Sequence, residues 1–193
     1  TMLFFTAKGL CYWLKVYDLP EGAKNAKGRA IQNMLNIDPD DSINACLHIR
    51  KLADAEFCQS HYVMFCTKQG IIKKTCLSEY SRPRTNGVNA INIREDDKVV
   101  SVVLTNGSDE IIIANRNGRA TVRAMGRTAT GVRGMKLDED DATDEVIGMI
   151  CVNDPERETV LVVSEKGKGK RSVVDDYRVT NRGGKGVKTL NIT

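Results

Sequence analysis

The chain has 193 residues, 41% of them hydrophobic, and a formal net charge of +4 at neutral pH. It is long enough to bury a core and too apolar to be a disordered segment. No apolar stretch approaches the roughly 20 residues that span a bilayer. The six cysteines include no CxxC pair, which argues for reduced thiols in a cytosolic protein rather than a zinc or disulfide framework.

The start, Thr1-Met2-Leu3-Phe4-Phe5, lacks the basic segment and cleavage site of a signal peptide and reads as a strand entered midway, as in a fragment of a longer chain. Strands are expected at 2–5, 11–16, 43–49, 62–66, 71–75, 88–93, 99–104, 111–114, 146–152, 160–163 and 187–192, rich in Val, Ile and Phe and bounded by Gly, Asn and Asp. No helix-period stretch of useful length is visible.

These elements repeat. Four times an apolar strand, a tight turn and a second strand recur, as MLFFTAKGLCYWL, YVMFCTKQGIIKK, EIIIANRNGRATV and TVLVVSEKGKGKR, with turn glycines Gly9, Gly70, Gly118 and Gly167. Their spacings are 61, 48 and 49 residues, and Asn117-Gly118 is the strongest hairpin signal. Each unit has a second glycine that opens another strand: Gly28, Gly87, Gly131 and Gly186. An acidic turn (DPDD, REDD or DEDD) and one more apolar strand follow in the first three units. Several strands per period of about 50 residues predict a propeller-like array, with units near 1–61, 62–109, 110–158 and 159–193. The third unit is short by about five residues if the units share one loop plan. A loop lost near Ala120–Thr121 fits this better than a trimmed blade, because the shortage lies in a basic, exposed segment.

Charge follows the same repeat. Residues 6–29, 67–94, 115–136 and 164–188 hold 25 of the 29 Lys and Arg but only six of the 25 acids, a balance of +19 against −15 elsewhere. Equivalent segments occupy equivalent faces, so one rim should be basic and another acidic, the footprint of a polyanion partner. Glycines let a backbone approach phosphate, and Arg supplies forked donors that match its oxygens. One such loop would read as a solvated surface; four in register favour phosphate. The candidate contacts are Lys73, Lys74, Arg82, Arg84, Arg119, Arg123, Arg127, Arg133, Lys168, Lys170, Arg171, Arg178, Arg182, Gly183, Gly184, Lys185 and Lys188.

Other motifs carry less. The segment GKGKR at 167–171 matches neither nucleotide-loop spacing and lies between strands. Tyr17, Tyr80 and Tyr177 recur eight to ten residues after a turn glycine and read as rings docking a connecting turn. The acidic turns lack calcium-loop spacing and read as a solvated rim that keeps nucleic acid off the wrong face. His48 and His61 share no ligand spacing, and no catalytic set stands out.

The repeats, the LSEYSRPRTNGV connector and the final GVKTLNI together resemble the C-terminal repeats of the bacterial DNA gyrase A protein over essentially the whole chain. Asn181-Arg182-Gly183-Gly184-Lys185-Gly186 resembles that family's QRRGGKG box, with Thr180 and Asn181 where the family has Gln and Arg. The family's box lies in its first blade, whereas this match lies in the last unit. The resemblance implies an all-β β-pinwheel of four-stranded antiparallel blades, about four of them here, which share strands and hold duplex DNA on a basic outer rim. It implies wrapping of positive handedness in support of negative supercoiling, with the remainder of the gyrase A protein and the gyrase B protein as partners in the bacterial cytoplasm. No cofactor or metal is implied, and the cleavage and ATPase chemistry belongs to other regions of that enzyme. The equivalent domain of topoisomerase IV, a protein-scaffolding propeller and a propeller enzyme are the rival readings.

Overall fold

The computed structural model describes residues 1–124, 129–177 and 184–190, with the backbone alone at 122–124, 129 and 130. In chain order the strands are β1 (Met2–Thr6), β2 (Leu10–Leu14), β3 (Ile43–His48), β4 (Tyr62–Thr67), β5 (Ile71–Cys76), β6 (Val88–Asn89), β7 (Val99–Thr105), β8 (Glu110–Asn115), β9 (Arg119–Ala124), β10 (Ala129–Arg133), β11 (Val146–Val152), β12 (Thr159–Val163), β13 (Gly169–Val173) and β14 (Val187–Lys188). Among the described residues one α-helix, α1 (Ala55–Ser60), and four short 3-10 turns interrupt them.

Three antiparallel sheets have four strands, in the orders β3-β1-β2-β6, β7-β4-β5-β10 and β11-β8-β9-β14; β12 and β13 form a hairpin of two. Each four-stranded sheet takes three strands from one unit and the fourth from the next, so a blade is not a sequence repeat. The exchange is fixed by hydrogen bonds to the turn glycine. The Gly9 carbonyl accepts from the amides of Ala90 (2.8 Å) and Ile91 (3.2 Å), the Gly70 carbonyl from Gly134 (2.8 Å), and the Gly118 carbonyl from Thr189 (2.7 Å). Gly9 has a φ of +87°, and a Cβ there would collide with the Ile91 carbonyl oxygen, so only glycine closes the turn and admits the swapped strand.

The sheets stack face to face, because strands apolar on both sides must be covered twice. Leu3 and Phe5 meet Val63, Phe65, Leu77 and Tyr80 between the first two sheets. Met64, Cys66 and Ile72 meet Ile111, Ile113 and Met149 in the next layer, and Ile112 and Ala120 meet Val160, Val174 and Tyr177 in the third.

Three local expectations change. The strand expected at 88–93 ends at Asn89, because Ala90 and Ile91 turn to bond the Gly9 carbonyl instead of continuing the ladder. Likewise β14 ends at Lys188, where Thr189 bonds the Gly118 carbonyl; residues 191 and 192 lie outside the described residues. The helix α1 was not expected. At six residues it is too short to show a period, and it rests on its Asp54 cap, which accepts from the Phe57 amide (3.1 Å), and on buried Cys58. It takes up the extra length of the first unit. In the third unit β8 and β9 pair without a break through Ala120 and Thr121, so any shortening falls outside that ladder.

Tyr80 and Tyr177 dock their connecting turns, as expected. Tyr80 is edge-on to Phe5 (5.9 Å between ring centres), and its carbonyl accepts from Trp13 Nε1 (2.8 Å). Tyr17 differs: it is 76% exposed. Counting from the turn glycine, Leu19 rather than Tyr17 occupies the position of Tyr80 and Tyr177.

Candidate nucleic-acid interface

The stacking gives each blade two distinct edges. Strands β3, β7 and β11 are the end strands on one side, and they pack on one another: Asn44 Nδ2 donates to the Val99 carbonyl (2.6 Å) and Ser101 Oγ to the Met149 carbonyl (3.1 Å). The swapped strands β6, β10 and β14 are therefore at the opposite, outer edge, and they carry the second glycines and their basic neighbours.

At the first three hairpin turns, Lys8, Lys68 and Arg116 each pair with a carboxylate. At least one carboxylate of each acidic turn is bonded to the hairpin it adjoins, while Asp38, Glu95, Asp96, Asp138 and Asp140 are exposed, as expected of a solvated rim. Asp41 Oδ1 accepts from the amides of Lys8 (3.2 Å) and Ser42 (2.8 Å), Asp97 Oδ1 from those of Gln69 (3.0 Å) and Lys98 (2.9 Å), and Asp141 Oδ2 from Asn117 Nδ2 (3.0 Å). Lys8 pairs with Asp40, and Glu145 takes both Lys68 (2.7 Å) and Arg116 (3.6 Å), tying the second hairpin to the third. The hydrogen bond from Lys68 holds the Glu145 carboxyl below the usual carboxylate range, and the bond from Lys8 does the same for Asp40. Three repeated cations are thus consumed at this end.

The outer edge differs. Arg82 and Arg84 are exposed on the approach to β6, Arg133 is exposed on β10, and Lys185 and Lys188 are exposed at β14. Arg119 is exposed on β9, and its Nη1 donates to the Gly186 carbonyl (3.2 Å). Lys168, Lys170 and Arg171 are exposed on the β12–β13 hairpin. Among the described residues no carboxylate forms an ion pair with Arg82, Arg84, Arg119, Lys168, Lys170, Arg171, Lys185 or Lys188. Gly184 is half-buried, its carbonyl accepting from the Lys136 amide (3.1 Å).

Two expected contacts fall elsewhere. Lys74 is buried, with its ammonium 4.1 Å from the centre of the Tyr62 ring and 3.4 Å from the Gly107 carbonyl oxygen. Lys73 is half-buried and donates to the Ala90 carbonyl (2.7 Å). Burial lowers the pKa of both. Successive strand residues point to opposite faces, so Lys73 and Lys74 are both covered only because β5 lies between neighbours on both sides. Arg123 lies on β9 opposite Ile111. Arg127, Arg178, Arg182 and Gly183 lie outside the described residues.

Lys24, Lys27 and Arg29 are exposed in the first unit, in a segment without strands, and were not among the candidate contacts. Their place in the same recurring window was the available signal. No group of three or more His, Cys, Asp or Glu among the described residues could hold a metal ion.

A family model described as the DNA gyrase C-terminal domain, beta-propeller, matches residues 1–50, 61–106, 109–153 and 158–193. The DNA gyrase A protein of Staphylococcus epidermidis is 42% identical over 198 aligned residues, which cover 100% of this chain and 21% of that protein. Its Staphylococcus aureus counterpart is 40% identical over 100% of this chain and 22% of its own length. The chain therefore spans about a fifth of the curated relatives it matches. A solved C-terminal domain of DNA topoisomerase IV superposes with a TM-score of 0.79 at 29% identity, covering 97% of this chain and 57% of that one. A solved DNA gyrase A C-terminal domain gives 0.74 at 23%, covering 96% and 58%, a likeness of fold.

Proposed function

Because the chain belongs to the DNA gyrase C-terminal domain family, we propose that it binds duplex DNA without sequence preference and wraps it chirally around its outer edge. Residues 1–193 act in this reading as one DNA-wrapping domain that supports negative supercoiling by gyrase. The remainder of the gyrase A protein and the gyrase B protein are its partners, in the bacterial cytoplasm, and strand cleavage and ATP hydrolysis belong to them.

The observation that carries the reading is the sorting of charge between edges. Cations at the first three hairpin turns (Lys8, Lys68 and Arg116) are paired with carboxylates, while outer-edge cations such as Arg82, Arg84, Lys185 and Lys188 stand exposed without one. Bending 20–30 bp of duplex by 40–90° costs on the order of 1–6 kcal/mol, which phosphate contacts spread along a curved edge can offset. The one α-helix among the described residues has six residues, too few to lie along a major groove and read bases.

Topology trapping tests the proposal. The protein is bound to relaxed circular duplex at low salt, the circle is relaxed with a type I topoisomerase, the protein is stripped, and the linking number is read. A positive shift that grows with protein and vanishes with salt is the expected result. Binding without a shift removes the wrapping step. Absence of binding at low salt removes the DNA reading and leaves a protein-scaffolding propeller.

A further inference from the structure

The swapped strand meets its host in the same register in all three four-stranded sheets, so one pair of positions can be compared around the array. The residue after the turn glycine always faces the residue two beyond the second glycine. These pairs are Leu10 with Asn89, Ile71 with Arg133, and Arg119 with Lys188. The charge at this one position rises from zero to one to two along the chain, and the corresponding residue of the fourth hairpin is again a cation, Lys168.

Directly opposed residues of an antiparallel pair point to the same face with Cβ atoms about 4.5–5.5 Å apart, and like charges there destabilise the sheet. Arg119 and Lys188 are both exposed, and the Arg119 guanidinium is held across the swapped strand by its bond to the Gly186 carbonyl. Both line the cleft between the third sheet and the β12–β13 hairpin, together with Lys166, Lys168, the Glu145-paired Arg116 and one carboxylate, Glu165. A two-residue strand carrying a repulsive pair is a poor way to hold a blade together on its own. It is a good way to present two neighbouring cations on one face to a single anion.

We propose that Arg119 and Lys188 clamp a single DNA phosphate, and that duplex DNA is therefore gripped most tightly at the third blade and the fourth hairpin rather than evenly along the edge. The bound phosphate turns a repulsive cross-strand pair into a bridge between β9 and β14. DNA binding thereby also strengthens the junction between the third and fourth units. This inference rests on the duplex-binding reading above and adds a preferred seat and a direction to it.

Four proteins decide it: the wild-type chain, Arg119→Gln, Lys188→Gln and the Arg119→Gln/Lys188→Gln pair. Arg82→Gln/Arg84→Gln serves as a control of equal charge loss at the edge of the first blade. A short duplex is titrated at several salt concentrations, and thermal midpoints are measured without DNA. Lys188→Gln should raise the free protein's midpoint by about 1–3 °C, since it removes a like-charge pair. It should weaken duplex binding on the order of tenfold at low salt, the cost of one charged hydrogen bond. A merely structural lysine would lower the midpoint as well. The double variant should lose about as much affinity as either single variant, because one phosphate is shared, and should lower the salt slope by about one. The control pair should lose less affinity. Additive losses, or equal losses from both double variants, overturn the clamp. Failure of the wild type to bind duplex overturns the reading beneath it instead.

Discussion

At the scale of single residues, backbone conformation and burial decide what the side chains can do. Gly9 combines a left-handed φ with contact against the strand that arrives from the next unit. Gly9→Ala should cost about 2 kcal/mol or more, lowering the midpoint by roughly 4–8 °C in a chain of this length, as read by thermal unfolding. Lys74 makes the opposite point: its charge is of no use to an external polyanion. Burial lowers its pKa below the ordinary lysine value of 10.5, so the folded state gives up this proton at lower pH than the unfolded state. Stability tied to Lys74 is therefore depressed while the group is charged, and it rises as pH climbs from the lowered pKa towards 10.5. Lys74→Met has no such titration. In paired unfolding curves the wild type should gain on this variant through that window, and the variant's duplex affinity should match the wild type's. Weakened binding by Lys74→Met would put the lysine back on the interface.

At the scale of elements, each unit is completed by its neighbour. The connecting turn after the second strand carries two apolar residues that dock on the preceding sheet. These are Leu77 and Tyr80 on the first sheet, and Val174 and Tyr177 on the third, all buried. In the first unit the same positions are Val16, 53% exposed, and Leu19, 39% exposed. Identical sequence roles thus have different energies. Leu77→Ala should cost about 2–5 kcal/mol, whereas Val16→Ala should stay within about 0.5 kcal/mol, and denaturant midpoints of the two variants check the contrast. Equal costs would show that the first turn is covered in solution. The docking tyrosines were legible in the sequence as a recurrence. Which of them docks was not, because Tyr17 is offset by two residues from the register that Tyr80 and Tyr177 share.

At the scale of the whole molecule, the recurrence sets the salt response. If about eight phosphates are neutralised along the outer edge, log affinity should fall against log salt with a slope near −7, measured by titrating one duplex over a range of ionic strength. A slope near −2 would mean isolated contacts and no wrapped path. The sequence by itself determined the all-β class, the four hairpins, the glycine turns and the segregation of charge, because these are periodic and each is written in neighbouring residues. Tertiary structure alone decided which cations face outward, which carboxylate of each acidic turn caps a hairpin, and that each four-stranded sheet borrows its outer strand from the next unit. Those outcomes depend on pairs far apart in the chain, such as Gly9 with Ala90 or Arg119 with Lys188. A strand's own residues specify its alternation but not the neighbour that covers each face.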